Sequence, residues 1–290
     1  MPITEGQREQ RKQFLGSSDM AAVLNVDRWR TPYDVFLDKT GQLEDAEPND
    51  AMLAGTWLED GVLRFAESKL GGLIKNQQHR LPDFYLGANI DAVVAVSQLP
   101  VEAKTAGLFS PLPDAWGNEG TDEVPDYVVV QCHVHMICMP TAPGMCYVAA
   151  LLGWRGFQMF EIGRNEELCE LIRTTAKAFW ENHILAKVPP PDSEPHLGVV
   201  RRVIREPNKI IPINPELVEQ YERACAEKKA AITACEEAQA AILTEMGDAE
   251  GAEYGVEGKI VTFMEQSRKG YTVEPKTYRV FRIQKDRRAS

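Results

Sequence analysis

Two apolar, strand-like runs each carry a carboxylate where a core side chain would be expected: Asp91 in GANIDAVV and Glu102 in LPVEAKTA. A buried charge needs a partner, yet the residues around Glu102 (Leu99, Val101, Ala103 and Ala106) are apolar. Ten residues, 92–101, separate the two acids. A fold that brings both runs together sets two carboxylates side by side, and that arrangement calls for a cation between them. Lys104 follows Glu102 by two residues and so falls on the same strand face, within reach of a water or a phosphate. An isolated Glu-x-Lys on a strand is ordinarily a solvated face. Here the apolar flanks, and an aspartate that interrupts its own run in the same way, favour a catalytic set.

The rest of the chain supplies helices around those strands. Ser18-Asp19 opens an apolar helix (MAAVLN), and Thr31-Pro32 opens PYDVFLDKTG, which Gly41 stops. In AMLAGTWLEDGVLRFAESKLGG, residues Met52, Leu58, Val62, Phe65 and Leu70 lie near one helical face. YLGANIDAVVAV, LPVEAKTA, MCYVAALLGW and FQMFEIG read as strands; DYVVVQCHVHMICM fits either a strand or a buried helix. EELCELIRTTAKAFWENHILAK is a long amphipathic helix, with VPPPDSEP as its linker. Residues 214–247 form the clearest helix, with Asn214 as N-cap, Pro215 at its first position and a stop at Gly247; its alanines suit close packing on another helix or a neighbouring subunit. A small β-unit follows in KIVTFMEQ, GYTVEP and TYRVFRIQ. The expected fold is α/β, a mixed sheet flanked by helices, with a C-terminal helix and a small β appendage. The expected domains are 1–195, then a linker and long helix at 196–247, then the appendage at 248–290.

Composition limits the partners. The net charge of −11 speaks against coating nucleic acid non-specifically. From Arg268 onward, however, eight Lys/Arg face two acids, with Tyr271, Tyr278 and Phe281 interleaved, a pattern that fits either a DNA grip or a solvated β-unit. Six cysteines without a C-x-x-C spacing point to buried thiols in a reducing compartment. No apolar run spans a membrane and the start is polar, so an intracellular protein is expected.

Glu59, in GTWLED, adds a third carboxylate. Three hard oxygen donors suit Mg²⁺, with Mn²⁺ as substitute, and such a cation with a lysine is a minimal kit for cutting a phosphodiester. His133 and His135 form an H-x-H beside Cys132 and Cys138, but on a helix two residues so spaced diverge, which argues against zinc. Ser18 at a helix start with Arg11 seven residues earlier could hold a phosphate, or Ser18 could simply be a cap.

RKQFLGSSDMAAVL, TPYDVFLDKTG, MLAGTWLE, GANIDAVV, VEAKTA and PDYVVVQCHVHM, in this order over about residues 11–190, resemble the YqaJ-type phage recombination exonucleases, the family of phage lambda exonuclease, on the PD-(D/E)xK nuclease fold. The resemblance implies a metal-dependent 5′→3′ exonuclease that resects linear double-stranded DNA and leaves a 3′ single strand. It assigns catalysis to Asp91, Glu102, Lys104 and Gln131, metal binding to Glu59, Asp91 and Glu102, and a 5′-phosphate site to Arg11 and Ser18. It further implies a homo-oligomeric ring, trimeric in the lambda type, a single-strand annealing partner, and a phage or prophage origin in the cytoplasm of a bacterial host. Two positions depart from the family: His135 stands where a tyrosine is usual, and Ser17 where a glycine is. A structure- or site-specific endonuclease on the same fold, or a non-catalytic DNA-end-binding protein, are the alternatives.

Overall fold

The computed structural model describes residues 11–44, 46–109, 115–191, 193–254 and 259–265. They fall into two compact units, residues 1–209 and 210–290.

The first unit is built on five strands in sequence order: β1 (Leu73–Leu81), β2 (Leu86–Val94), β3 (Pro100–Ala106), β4 (Met145–Leu152) and β5 (Gly156–Gly163). All neighbours are antiparallel except β3 and β4. A parallel pair needs a crossover. Of the helices α1 (Ser17–Val23), α2 (Pro32–Lys39), α3 (Asp50–Leu70), α4 (Asp126–Cys138) and α5 (Glu166–Phe179), it is α4 that lies between β3 and β4 in the chain. The mixed α/β core expected from the sequence is the one found.

Alternation along the strands sorts the helices to two faces. On β4, Ala149 joins Val62, Leu63 and Ala66 of α3, while Cys146, Val148, Ala150 and Leu152 join Val128, Cys132 and Met136 of α4. A third cluster gathers α1, α2, α4 and α5 over Leu86, Ala88 and Ile90 of β2. Helix α4 is thus covered nearly all round, with Val128 and Val130 through Cys138 buried. A helix of that kind has no polar stripe, which is why DYVVVQCHVHMICM could be read either way.

The helix starts follow local chemistry. Thr31 accepts from the Asp34 N–H at 3.3 Å while Asp34 accepts from the Thr31 N–H at 2.9 Å, with Pro32 at the first position of α2. At α1 the N-cap is Gly16, whose N–H donates to Asp19 Oδ2 at 2.9 Å, so Asp19 caps the helix start as the third helical residue of a capping box and Ser18 does not.

The structure adds detail to the sequence reading in three places. Strand β1 (LIKNQQHRL) goes unseen in the sequence because it lies at the sheet edge and carries polar residues on both faces. In α3 the buried positions are Val62, Leu63 and Ala66, whereas Met52 and Leu58 are 52% and 37% exposed. Helix α5 passes into a π-helical turn at Trp180–Leu185, and residues beyond the proline-rich stretch stay with the first unit, where Leu43 bridges Val203.

In the second unit α6 (Pro215–Met246) starts at Asn214, whose side chain accepts from the Glu216 N–H at 3.0 Å. Among its residues only Met246 is buried. Strands β6 (Gly251–Tyr254) and β7 (Lys259–Thr262) form an antiparallel hairpin. GYTVEP, TYRVFRIQ and the basic aromatic tail lie outside the described residues. Among the described residues no helix is long and apolar enough to cross a membrane.

Candidate active site

Strands β2 and β3 pair only through Val93 with Pro100 and Ala92 with Val101. The same register would next set Asp91 opposite Glu102, and there the backbone ladder stops. The Ala103 N–H donates instead to Asp91 Oδ2 at 2.8 Å. Strand β1 also passes Asp91 by: Lys75 pairs with Ala92 and Gln77 with Ile90, while Asn76 between them adopts φ 56°, a left-handed turn that asparagine tolerates. The side chain of Asp91 therefore closes an opening in the sheet that backbone groups would otherwise fill.

That opening forms the floor of a cleft of about 420 Å³ lined by Glu59, Asp91, Glu102 and Lys104, with Met52 and Thr56 of α3 above them. Glu102 is buried and pairs with Lys104 through Oε1 and Nζ. Its other oxygen, Oε2, stands 3.5 Å from His135 Nδ1. Burial, and then the charge of Glu102, hold the Asp91 carboxyl well above the usual carboxylate range, with Glu59 adding to the effect; Lys104 and the Ala103 N–H pull only partly the other way. Burial also opposes the charge of Glu102, but Lys104 and His135 outweigh it and keep its pKa low. For Lys104, burial is outweighed by Glu102 and Asp91, which raise its pKa. The cleft therefore holds more acceptor oxygens than its one lysine can satisfy.

This donor set fits a hard divalent cation. Among the described residues no three acidic, histidine or cysteine side chains converge into a closed cage. Ions of the Mg²⁺ class do not require one, since they bind through one or two carboxylates and complete their shell with waters and phosphate oxygens. Glu59, Asp91 and Glu102 are the residues that could hold such an ion.

The structure does not bring every candidate to that cleft. Gln131 is buried on α4 with no partner for Oε1, and it does not line the cleft. His133 is fully occupied, its Nδ1 2.8 Å from the Val129 carbonyl and its Nε2 accepting from the Asn165 N–H at 3.0 Å. It shares no metal with His135.

Arg11 and Ser18 line a second, smaller cavity of about 130 Å³ with Ser17, Asp19, Arg30 and Lys39. The sequence singled out two of these six. Asp19 is buried and ion-paired to Lys39 at 2.6 Å and to Arg30 at 2.8 Å, and Lys39 Nζ also donates to the Arg11 carbonyl at 2.8 Å. Burial resists the Asp19 charge, yet the two cations and the Gly16 N–H dominate and hold its carboxyl far below the usual range. Arg30 and Lys39 escaped notice because Arg30 precedes the TPYDVFLDKTG stretch and Lys39 reads there only as part of a helix; only the fold turns them onto Asp19. Both cavities draw on β2. Gly87 and Asn89 line the second and Asp91 the first, and Asn89 and Asp91 are about 7 Å apart along the strand.

Comparison with known proteins gives the following matches. Residues 8–142 match the model of the YqaJ-like viral recombinase domain. The chain is similar to the uncharacterized protein YqaJ of Bacillus subtilis (strain 168), 29% identical over 224 residues that make up 73% of this chain and 68% of the other. Among solved structures, the alkaline exonuclease LHK-Exo from Laribacter hongkongensis aligns at 20% identity and a TM-score of 0.47, covering 64% of this chain and 94% of that one. A phage-related exonuclease from Haemophilus somnus 129PT aligns at 15% identity and a TM-score of 0.41, covering 64% and 90%.

Proposed function

We propose, from the match of residues 8–142 to the YqaJ-like viral recombinase domain, that this protein is a divalent-metal-dependent deoxyribonuclease that resects linear duplex DNA from its 5′ ends. The observation that carries the reading is the convergence of Glu59, Asp91, Glu102 and Lys104 on one cleft, at the point where the β2–β3 ladder opens. A bound Mg²⁺ or Mn²⁺ would lower the pKa of a water and offset phosphate charge. Asp91, Glu102 and Glu59 are the residues that would hold that ion. Lys104 is the mobile cation of the site. Released from Glu102, its ammonium orients the attacking water or meets the negative charge that builds on the phosphate. Gln131 does not line the cleft and so has no direct contact with the phosphate or water.

End selection is assigned to the second cavity. Arg11 supplies a guanidinium and Ser18 a hydroxyl, while Asp19 and Asp38 offset the charges of Lys39 and Arg30 and keep the cavity from becoming a general anion trap. A terminal 5′-phosphate held there would sit beside the strand that also carries Asp91, and release of mononucleotides with a 3′ single strand left behind follows from the family resemblance. A homo-oligomeric ring, a trimer in the favoured arrangement, lets an acidic chain hold duplex DNA by lining its channel with basic residues. A single-strand annealing protein is the expected partner for the exposed 3′ strand.

The decisive experiment digests linear duplex labelled at the 5′ or the 3′ end, beside a covalently closed circle, with Mg²⁺ and with chelator. Release of 5′ label from the linear DNA, only with metal, is the expected result. Nicked circles would make the protein an endonuclease, and no metal-dependent cleavage would leave it a DNA-end-binding protein.

A further inference from the structure

His135 is a buried polar group for which the nuclease reading has so far no role. Its ring has no solvent exposure, and neither nitrogen has a hydrogen-bond partner among the described residues. Its neighbour on the same helix shows what a structural histidine looks like here: His133 uses both nitrogens, one toward Val129 and one toward Asn165. Unsatisfied ring nitrogens in a core cost stability, and an apolar side chain of similar volume would avoid that cost. The arrangement therefore weakens the core, and the one acidic group beside it is Glu102, with Oε2 3.5 Å from His135 Nδ1.

Glu102 has a neighbour at each oxygen, Lys104 paired with Oε1 and His135 Nδ1 at 3.5 Å from Oε2. The two neighbours differ in kind. Lys104 lines the open cleft on a long flexible stem and has other work to do once DNA arrives. His135 sits on a helix packed nearly all round and cannot leave. We infer that His135 is a positioning residue: its Nδ1–H holds the Oε2 edge of Glu102, so that the carboxylate stays aimed into the cleft after Lys104 turns to a phosphate or water. Partners of this kind behind a ligating carboxylate orient it and set metal affinity. This inference rests on the nuclease reading of the same site.

The test compares wild type with His135→Leu and His135→Asn in the full chain, measuring Mn²⁺ binding to metal-free protein by calorimetry, thermal midpoint and exonuclease rate. His135→Leu should weaken Mn²⁺ binding by about tenfold or more, while its midpoint stays level or rises by ~2–4 °C as the unsatisfied nitrogens disappear. His135→Asn, which can present an N–H near the position of Nδ1, should bind Mn²⁺ more tightly than His135→Leu. If His135→Leu binds and cleaves like wild type, fails to fold, or is matched in its loss by His135→Asn, the positioning role is wrong. Wild-type protein that binds no Mn²⁺ and cuts nothing would overturn the nuclease reading itself, and this inference with it.

Discussion

Asp91→Asn separates charge from geometry at the cleft, because an amide oxygen can still accept the Ala103 N–H. The variant should remain folded and bind DNA ends, with cleavage of linear duplex down by more than about 100-fold; Lys104→Ala should behave alike. Substantial activity in either purified protein would remove that residue from the site. Asp19 makes a different case, since its role is held to be electrostatic balance. Asp19→Asn leaves Lys39, only 4% exposed, without its carboxylate, and should cost about 3–5 kcal/mol in urea unfolding at neutral pH. The folded pKa of Asp19 lies below its unfolded value of about 3.9, so its contribution is fully present above that value and is lost as pH falls below it. Wild type and variant should therefore converge in stability in acid. A gap that persists unchanged well below pH 4 would mean the ion pairs are not its source.

At the scale of elements, the end cavity depends on how closely residues 14–15 approach β2. Leu15 bridges Leu86, and a Cβ on Gly87 would come within 2.4 Å of the Phe14 ring. Gly87→Ala should thus push Phe14 into the cavity it lines, destabilise the protein by roughly 1–3 kcal/mol, and lower the preference for 5′-phosphorylated over 5′-hydroxyl duplex. Ser18→Ala and Arg11→Ala should lower that preference without the loss in stability. Comparing degradation of the two kinds of end by the three variants checks this, and an unchanged preference in all three would strip the cavity of its role. Much at this scale was legible in the sequence: α2 was marked by Thr31, Pro32 and Gly41, and α6 by Asn214, Pro215 and Gly247, since capping is settled within one turn of chain. The face of α3 was misjudged because Met52 and Leu58 are apolar but exposed, Met52 over the open cleft, while the sheet covers Val62 and Ala66.

For the whole molecule, the ring is the claim with the widest reach. Light scattering at working concentration should return a multiple of the 32.4 kDa chain, and a monomer would leave the retention of DNA by an acidic protein to some other device. The second unit gives the same question a surface: α6 runs 32 residues with only Met246 buried. Its alanine-rich length suits close contact with a second copy, and removing residues 210–290 should lower the oligomeric mass if α6 contributes.

The sequence by itself determined the chemistry available to this protein. It showed two carboxylates and a lysine in apolar surroundings, because a charge amid core residues stands out one residue at a time. Only the tertiary structure decided that Asp91 sits where both neighbouring strands release it, that Lys39 and Arg30 converge on Asp19, and that His135 lies behind Glu102 while His133 does not. Those facts depend on strand register, on a polar edge strand without an apolar pattern, and on which side of a buried helix meets the sheet. None of these is set by residues near one another in the chain.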